Sequence, residues 1–350
     1  MNKIQELSVM RFLLIVCVVI GHISVQQIES PSGGYFFDDI VRSSGFYDAP
    51  IHVFLVKVSM LIYSFHMKAF NALTGALFYI TLTHRNYSRL GKVILDKGKV
   101  CLIPFFVVNL FYLTPIRYAA GYYTKPLGEC IRNQILLHGE NYLWYLISIF
   151  TDFILCWCIE RYIQGPAIIR WMVVFCISLG REFSFVPDLL YVGLENLFWF
   201  YLGFSMVKDI EQYRGLVLKH RWIFPLSLGA LVLLRVLVIA SDDVDVFSYY
   251  ASGFAGIMFI FSGACLLAEW MPAAESGFVS HISSNSLGIY IYSDPLNGLI
   301  NHFALVLIGP VVFASNKLSL ALYAVKFLAA FLIPLGICAL LRKAHVKYLA

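Results

Sequence analysis

The chain has 350 residues, of which 60% are hydrophobic, 16% aromatic and only 13% charged, with a formal net charge of +5. Soluble domains carry about 25% charged residues, so this balance excludes an ordinary soluble domain and marks a polytopic membrane protein. No phosphate-binding glycine-rich motif and no nucleic-acid signature occur.

The hydrocarbon core of a bilayer is about 30 Å thick and takes roughly 20 apolar residues per helix. Ten runs read as spans: Ser8 to Ile28, Val53 to Leu82, Val100 to Tyr118, Tyr142 to Ile159, Ile168 to Leu179, Leu189 to Val207, Trp222 to Ala240, Tyr249 to Trp270, Leu287 to Ile308 and Leu318 to Leu341. The expected fold is all-α, a polytopic bundle of about ten transmembrane helices forming a single domain over residues 1–350. The longest polar stretches, Glu29 to His52 and Ala119 to Asn141, read as loops.

Lys and Arg accumulate in short cytoplasmic loops. With an inside N-terminus the cytoplasmic segments hold fourteen of the 26 basic residues: Lys3; Arg85, Arg89, Lys92, Lys97 and Lys99; Arg161; Lys208, Arg214, Lys219 and Arg221; Arg342, Lys343 and Lys347. The opposite loops hold five. Both termini are therefore expected in the cytoplasm, a parity that ten spans satisfy.

The first run follows Lys3 as a signal peptide would, yet it has no small-x-small cleavage site and ends in a histidine, so it reads as a retained helix. Of eight cysteines only Cys130 falls in an outer loop, which implies no disulfide framework. Cys156 and Cys158 read as buried packing residues.

The stretch "RFLLIVCVVIGH" sets Arg11 eleven residues before His22. Eleven helical steps make three turns plus about 20°, so the two share a face, with the imidazole roughly 16 Å deeper than the guanidinium. That face is a candidate wall of a path from cytosol to membrane core. The bland alternative makes Arg11 a headgroup anchor and His22 a hydrogen-bonding partner of a neighbouring helix, although a mid-span histidine is by default a functional residue. In the second run, "SFHMKAFNALTG" puts His66, Lys68, Asn71 and Thr74 at apolar depth, and Lys68, Asn71, Ala72 and Gly75 on one helical face. Such a stripe either lines a cavity or forms a structural seam.

These segments resemble the integral-membrane acyltransferase family 3, which O-acylates cell-surface glycans. "RFLLIVCVVIGH" resembles its Arg-x10-His signature, matched by Arg11 and His22. "FHMKAFNALTGALFY" is similar to its second-helix motif, usually Phe-His-Met-Pro-x-Phe followed by Ser-Gly, with His66, Met67, Phe70 and Gly75 matching. "YLWYLISIF" and "FWFYLGF" resemble its aromatic middle helices, and "SLGIYIYSDPL" its late Gly-Ile-Tyr motif. The chain departs from the pattern at Lys68, where proline is usual, at Thr74, and at Tyr292-Ser293-Asp294, where a histidine often follows the tyrosine. Lys97 and Lys99, before Ile103-Pro104, stand near the place of a paired-arginine element.

The resemblance implies a bacterial inner-membrane O-acyltransferase that takes acetyl from acetyl-coenzyme A to a sugar hydroxyl of a lipopolysaccharide, capsule or related glycan, with an acceptor that is lipid-linked or free. Acyl transfer needs a base for the hydroxyl proton and donors for the oxyanion. An imidazole with a reference pKa near 6.5 suits the first task, which falls to His22, as base for the hydroxyl or as transient carrier of the acyl group. Arg85, Arg89, Lys97 and Lys99, assisted by Arg11, are expected to dock the donor phosphates, though positive-inside charge alone would also place them there. His66 or Lys68 is expected to stabilise the developing negative charge, supported by Asn71, Trp144 and Glu195.

Lys68, Asp152, Glu195, Arg235, Asp294 and Lys326 are three intramembrane charges of each sign, which suggests pairing across helices, since a lone charge in hydrocarbon costs at least about 2.5 kcal/mol. Glu195 or Asp152 is a candidate to orient a catalytic histidine, the carboxylate role of hydrolase triads. The remaining histidines show no zinc spacing, and no metal is expected. Asp242, Asp243 and Asp245 read as a solvated loop, and Tyr35, Tyr47, Tyr122 and Tyr123 as outer-loop rings able to stack on sugars. The rival class is a proton-coupled transporter or polysaccharide flippase, which calls for broken helices in two corresponding halves; no internal repeat is visible. A glycan polymerase would need arginines in large outer loops, and the outer loops here are short.

Overall fold

The structure is a computed structural model that describes residues 5–24, 27–36, 43–45, 49–85, 87–138, 141–179, 188–241, 246–270, 277–346 and 348–349. Lys3, Tyr47, Lys347 and the Asp242, Asp243, Asp245 cluster lie outside the described residues, as does the side chain of Tyr35. Helices dominate: α1 (Gln5–Ile23), α2 (Pro50–Tyr63), α3 (His66–His84), α4 (Leu90–Val108), α5 (Thr114–Ala119), α6 (Leu127–Ile135), α7 (Trp144–Tyr162), α8 (Ala167–Ser178), α9 (Asp188–Met206) and α10 (Ile210–Lys219). They continue as α11 (Ile223–Ser241), α12 (Val246–Trp270), α13 (Phe278–Ser284), α14 (Ser286–Ile308), α15 (Val311–Ala314) and α16 (Asn316–Lys343). One antiparallel hairpin pairs β1 (Gln27–Ser30) with β2 (Gly33–Phe36).

Among the described residues six helical segments are long and apolar enough to cross a membrane: Gln5–Ile23, Pro50–His84, Leu90–Ala119, Ile223–Ala240, Val246–Trp270 and Asn316–Lys343. The protein is thus a helical, multi-pass membrane protein. Three further runs read as spans from sequence, α7, α9 and α14, form helices of 19, 19 and 23 residues. Each carries at least one acid: Asp152 and Glu160 on α7, Glu195 on α9 and Asp294 on α14. The fifth run is only the 12-residue α8.

Several expected boundaries move. The first span was expected to reach Ile28, but α1 ends at Ile23 and β1 begins at Gln27. The stretch from Ala119 to Asn141 is not all loop, because α6 forms within it with one strongly apolar face. The long second run breaks at Ser64 and Phe65 into α2 and α3. At that break the amides of Ser64 and Phe65 donate to the carbonyls of Leu61 and Ile62, three residues back, 3.2 and 3.1 Å away. A helix broken inside a bilayer must satisfy its orphan carbonyls within the protein.

The chain folds into two compact units. The first comprises Met1–Cys17, Leu61–Gly98 and Ile147–Ser286; the second comprises Val18–Met60, Lys99–Leu146 and Leu287–Ala350. In the first, α3 and α9 meet backbone to backbone: a Cβ on Gly75 would collide with the Phe200 carbonyl, and one on Gly203 with the Ala72 carbonyl. Small residues permit this approach where lipid offers no hydrophobic drive to associate. Asn71 seals the seam by donating to Met67 O (3.0 Å) and Asn196 Oδ1 (3.1 Å). The stripe of Asn71, Ala72 and Gly75 is therefore the packing seam of α3.

In the second unit α14 lies close to α16, with Cys338 Sγ occupying the space a Cβ on Gly288 would need. Around α5 and α6 a buried polar network forms. Gln134 Oε1 accepts from Arg117 (3.2 Å) and Tyr123 (3.0 Å), and its Nε2 donates to Thr114 Oγ1 (3.0 Å). Asn141 donates to Asn109 Oδ1 (3.0 Å) and to the Gln134 carbonyl (2.7 Å). Burial pushes the Tyr123 phenol pKa up, which keeps it a donor. Tyr122 is buried at 3% exposure beneath the Arg117 guanidinium, 4.7 Å from the ring centre, so this ring is not available to stack on a sugar.

Candidate active site at His22

His22 occupies the last turn of α1. Ser24 and Ser59 both donate their hydroxyls to the Gly21 carbonyl, at 3.0 and 2.8 Å. They supply partners to a helix end that would otherwise lack them and hold the backbone just before the imidazole.

The imidazole meets Asp294 of α14, Nδ1 to Oδ1, at 2.6 Å, with side chains 16% and 20% exposed. An ionised carboxylate only accepts hydrogen bonds, so Nδ1 carries the proton and Nε2 is the basic nitrogen. A carboxylate in this position fixes tautomer and ring orientation and stabilises the imidazolium that forms when Nε2 takes a proton.

Asp294 owes its setting to the residue after it. Pro295 lies inside α14 and has no amide proton, so the carbonyl four residues back, that of Ile291, loses its helical donor. The Tyr142 hydroxyl replaces it at 2.5 Å, and the Tyr112 hydroxyl donates to the adjoining Tyr292 carbonyl at 2.8 Å. The Tyr290 hydroxyl returns to the Tyr142 carbonyl. Proline thus opens the helix beside the acid, and tyrosines close the exposed acceptors. Two buried cations, Arg117 of α5 and Lys326 of α16, also act on the Asp294 carboxylate.

Arg11 is partly buried on α1, in the first unit. His66 and Lys68 both serve the break between α2 and α3. His66 Nδ1 lies 2.9 Å from the Ile62 carbonyl. The Lys68 ammonium donates to Ser64 O (2.9 Å), Tyr249 O (2.7 Å) and Ser252 Oγ (3.1 Å), and lies 3.8 Å from the Tyr249 ring centre. Of the basic group, Arg85, Arg89 and Lys99 are exposed, Arg85 standing 3.7 Å from Asp96. Lys97 folds against aromatic rings, 4.2 Å from Phe153 and 5.1 Å from Phe78. Trp144 is partly buried beside Tyr145, and Glu195 is partly buried on α9.

For His22 the orienting carboxylate is Asp294, where Glu195 or Asp152 had been the sequence candidates; both of those lie in the first unit, Asp152 wholly buried near Ser148. The usable signal was the dipeptide Asp294-Pro295, an acid set where a membrane helix must open. An apolar cavity of about 80 Å³, lined by residues such as Leu7, Met10, Leu73 and Phe261, lies within the first unit and offers a substrate no polar group. Among the described residues no cluster of His, Cys, Asp and Glu is arranged to hold a metal.

A multi-pass helical protein with a carboxylate-oriented histidine at a helix end has the parts of a membrane-embedded group-transfer enzyme. Residues 4–343 match the acyltransferase domain of acyltransferase family 3, and the chain belongs to that family. It is an acyltransferase acting on groups other than aminoacyl groups. Comparison with curated proteins and with solved structures finds no match.

Proposed function

We propose that the protein is an O-acetyltransferase of the bacterial inner membrane. It moves acetyl from acetyl-coenzyme A, bound on the cytoplasmic side, to a sugar hydroxyl of a surface polysaccharide such as an O-antigen or capsule. The observation that carries this reading is the 2.6 Å contact of His22 Nδ1 with Asp294, which leaves Nε2 as the base.

In this scheme His22 Nε2 takes the proton of the acceptor hydroxyl as its oxygen attacks the thioester carbon. The new C–O bond forms, the C–S bond breaks, and the coenzyme A thiolate leaves with the proton returned from Nε2. Asp294 stabilises the intervening imidazolium. The exposed Arg85, Arg89 and Lys99 serve as the phosphate-docking group, assisted by Arg11. His66 and Lys68 brace the α2–α3 break, and Asn71 the α3 seam, so their part is structural. Mass spectrometry of surface polysaccharide from cells with and without the intact protein tests this function. Acetyl groups that disappear while chain length is kept support transfer; shortened or unexported polymer supports a transporter instead.

A further inference from the structure

Four side chains of the second unit bury polar atoms that have no partner among the described residues. Ser293 Oγ, both amide atoms of Asn297, Asn301 Oδ1 and Lys326 Nζ are inaccessible to solvent and lack a hydrogen-bond partner. Their residues are 1%, 4%, 1% and 0% exposed. Buried polar groups in native proteins are almost always paired, so a cluster of orphans points to something that binds there.

The orphans share a place. Ser293, Asn297 and Asn301 recur every fourth residue along α14, and together with Asp294 they fall within an arc of about 100°. Lys326 belongs to α16, which runs antiparallel to α14. Gly288 packs on Cys338, and Ala304 shares a buried apolar cluster with Leu322. Both helices advance by the same number of residues between these contacts, so the register is constant and Lys326 stands level with Ile300 and Asn301. The Asp294 carboxylate and the Lys326 ammonium act on each other electrostatically.

The row also has a direction. α16 ends in Arg342 and Lys343, and basic ends face the cytoplasm. From the level of Gly288 and Cys338, near that end, Asp294 lies about 9 Å further along, Asn297 about 14 Å and Asn301 about 20 Å. The row therefore leads from the His22–Asp294 pair away from the side on which a coenzyme A donor docks.

We infer that Ser293, Asn297, Asn301 and Lys326 form the acceptor subsite, which takes a polyhydroxylated substrate and presents one hydroxyl to His22. The orphans include both donors and acceptors, and each sugar hydroxyl offers one donor and two lone pairs. A phosphate would find the two amide oxygens repulsive, and an acyl chain would leave every orphan unpaired. This inference rests on the acetyltransferase reading above and deepens it.

The test uses Asn297→Leu, Asn301→Leu and Lys326→Met in the full-length chain. Three quantities are read: acetyl content of surface polysaccharide in cells lacking the native copy, unfolding temperature in detergent, and the Kd of the purified protein for acetyl-coenzyme A in nanodiscs. Each variant is expected to lower acetylation about tenfold or more, as loss of a substrate hydrogen bond does. Donor affinity should stay within about twofold of the parent. For Asn297→Leu and Asn301→Leu the unfolding temperature should hold or rise, because an apolar group replaces an unpaired polar one. Acetylation retained by the Asn297→Leu, Asn301→Leu double variant overturns the subsite. So does an unfolding temperature that falls together with acetylation, which marks a structural network, or a donor affinity that falls in step. Parent protein that adds no acetyl to polysaccharide defeats the functional reading itself, before any variant is compared.

Discussion

Asp294 grips His22 through Nδ1, 2.6 Å from carboxylate to imidazole, and it does so from the residue immediately before the proline that opens α14. The histidine and the acid that holds it come from helices separated by most of the chain. Each is set at a point where regular helical bonding stops: His22 in the last turn of α1, Asp294 where Pro295 removes a donor.

Replacing His22 by alanine is expected to reduce acetyl transfer by about 10²- to 10⁴-fold, the usual contribution of a general base. Membrane insertion and yield should be unchanged, since Ser24 and Ser59 bond the Gly21 carbonyl and not the ring. Transfer by His22→Ala at the parental rate, measured as polysaccharide acetylation per inserted molecule, would remove His22 from the chemistry.

Asp294→Asn keeps the size of the side chain but lets an amide N–H face Nδ1, which favours the tautomer with its proton on Nε2. A loss approaching that of His22→Ala is expected, with unchanged affinity for acetyl-coenzyme A. A loss confined to donor affinity would assign Asp294 to binding.

A double-mutant cycle examines the opened turn of α14. Tyr142→Phe removes the donor to the Ile291 carbonyl and is expected to cost about 1 kcal/mol of unfolding free energy. In a Pro295→Ala background the restored backbone amide can take over that carbonyl, and the same change should cost measurably less. Equal costs in both backgrounds would mean that the hydroxyl does not substitute for the missing amide.

Glycine positions separate contact from open space. Gly75→Ala and Gly203→Ala drive a methyl into the backbone of the opposing helix, and each is expected to lower stability by about 1–3 kcal/mol or more. Gly229→Ala meets no atom within 4 Å and should be neutral or stabilising by helix propensity. Thermal unfolding in detergent reads all three.

Lys68→Met tests whether Lys68 acts through structure. Its ammonium bonds the carbonyls of Ser64 and Tyr249, so the variant should unfold at lower temperature while transfer per folded molecule stays near the parental value. A stable Lys68→Met protein with transfer lowered tenfold or more would return Lys68 to the reacting centre.

Much of this was legible before any coordinates. Scarce charge over long apolar runs identified a multi-pass helical protein, because hydrocarbon leaves the backbone no other partners than its own. The Arg-x10-His and Phe-His-Met segments pointed to the family that the comparison established. The α3 stripe was legible as a face, but which of its residues touch a neighbouring helix was not, since a glycine that admits a backbone and a glycine in open space look alike in one sequence.

By itself the sequence determined the solvent and the class, and it offered His22 as a candidate: burial in lipid is a matter of summed transfer energy along the chain, which composition and spacing record. The partner of that histidine was decided only in three dimensions. Glu195, Asp152 and Asp294 are equivalent as intramembrane acids in a linear reading. The selection among them depends on which helix crosses beside the end of α1, and helix crossings are set by contacts such as Gly288 on Cys338 between residues far apart in sequence. The unsatisfied row on α14 emerged for the same reason, because whether an asparagine has a partner is a property of its neighbours in space and not of its place in the chain.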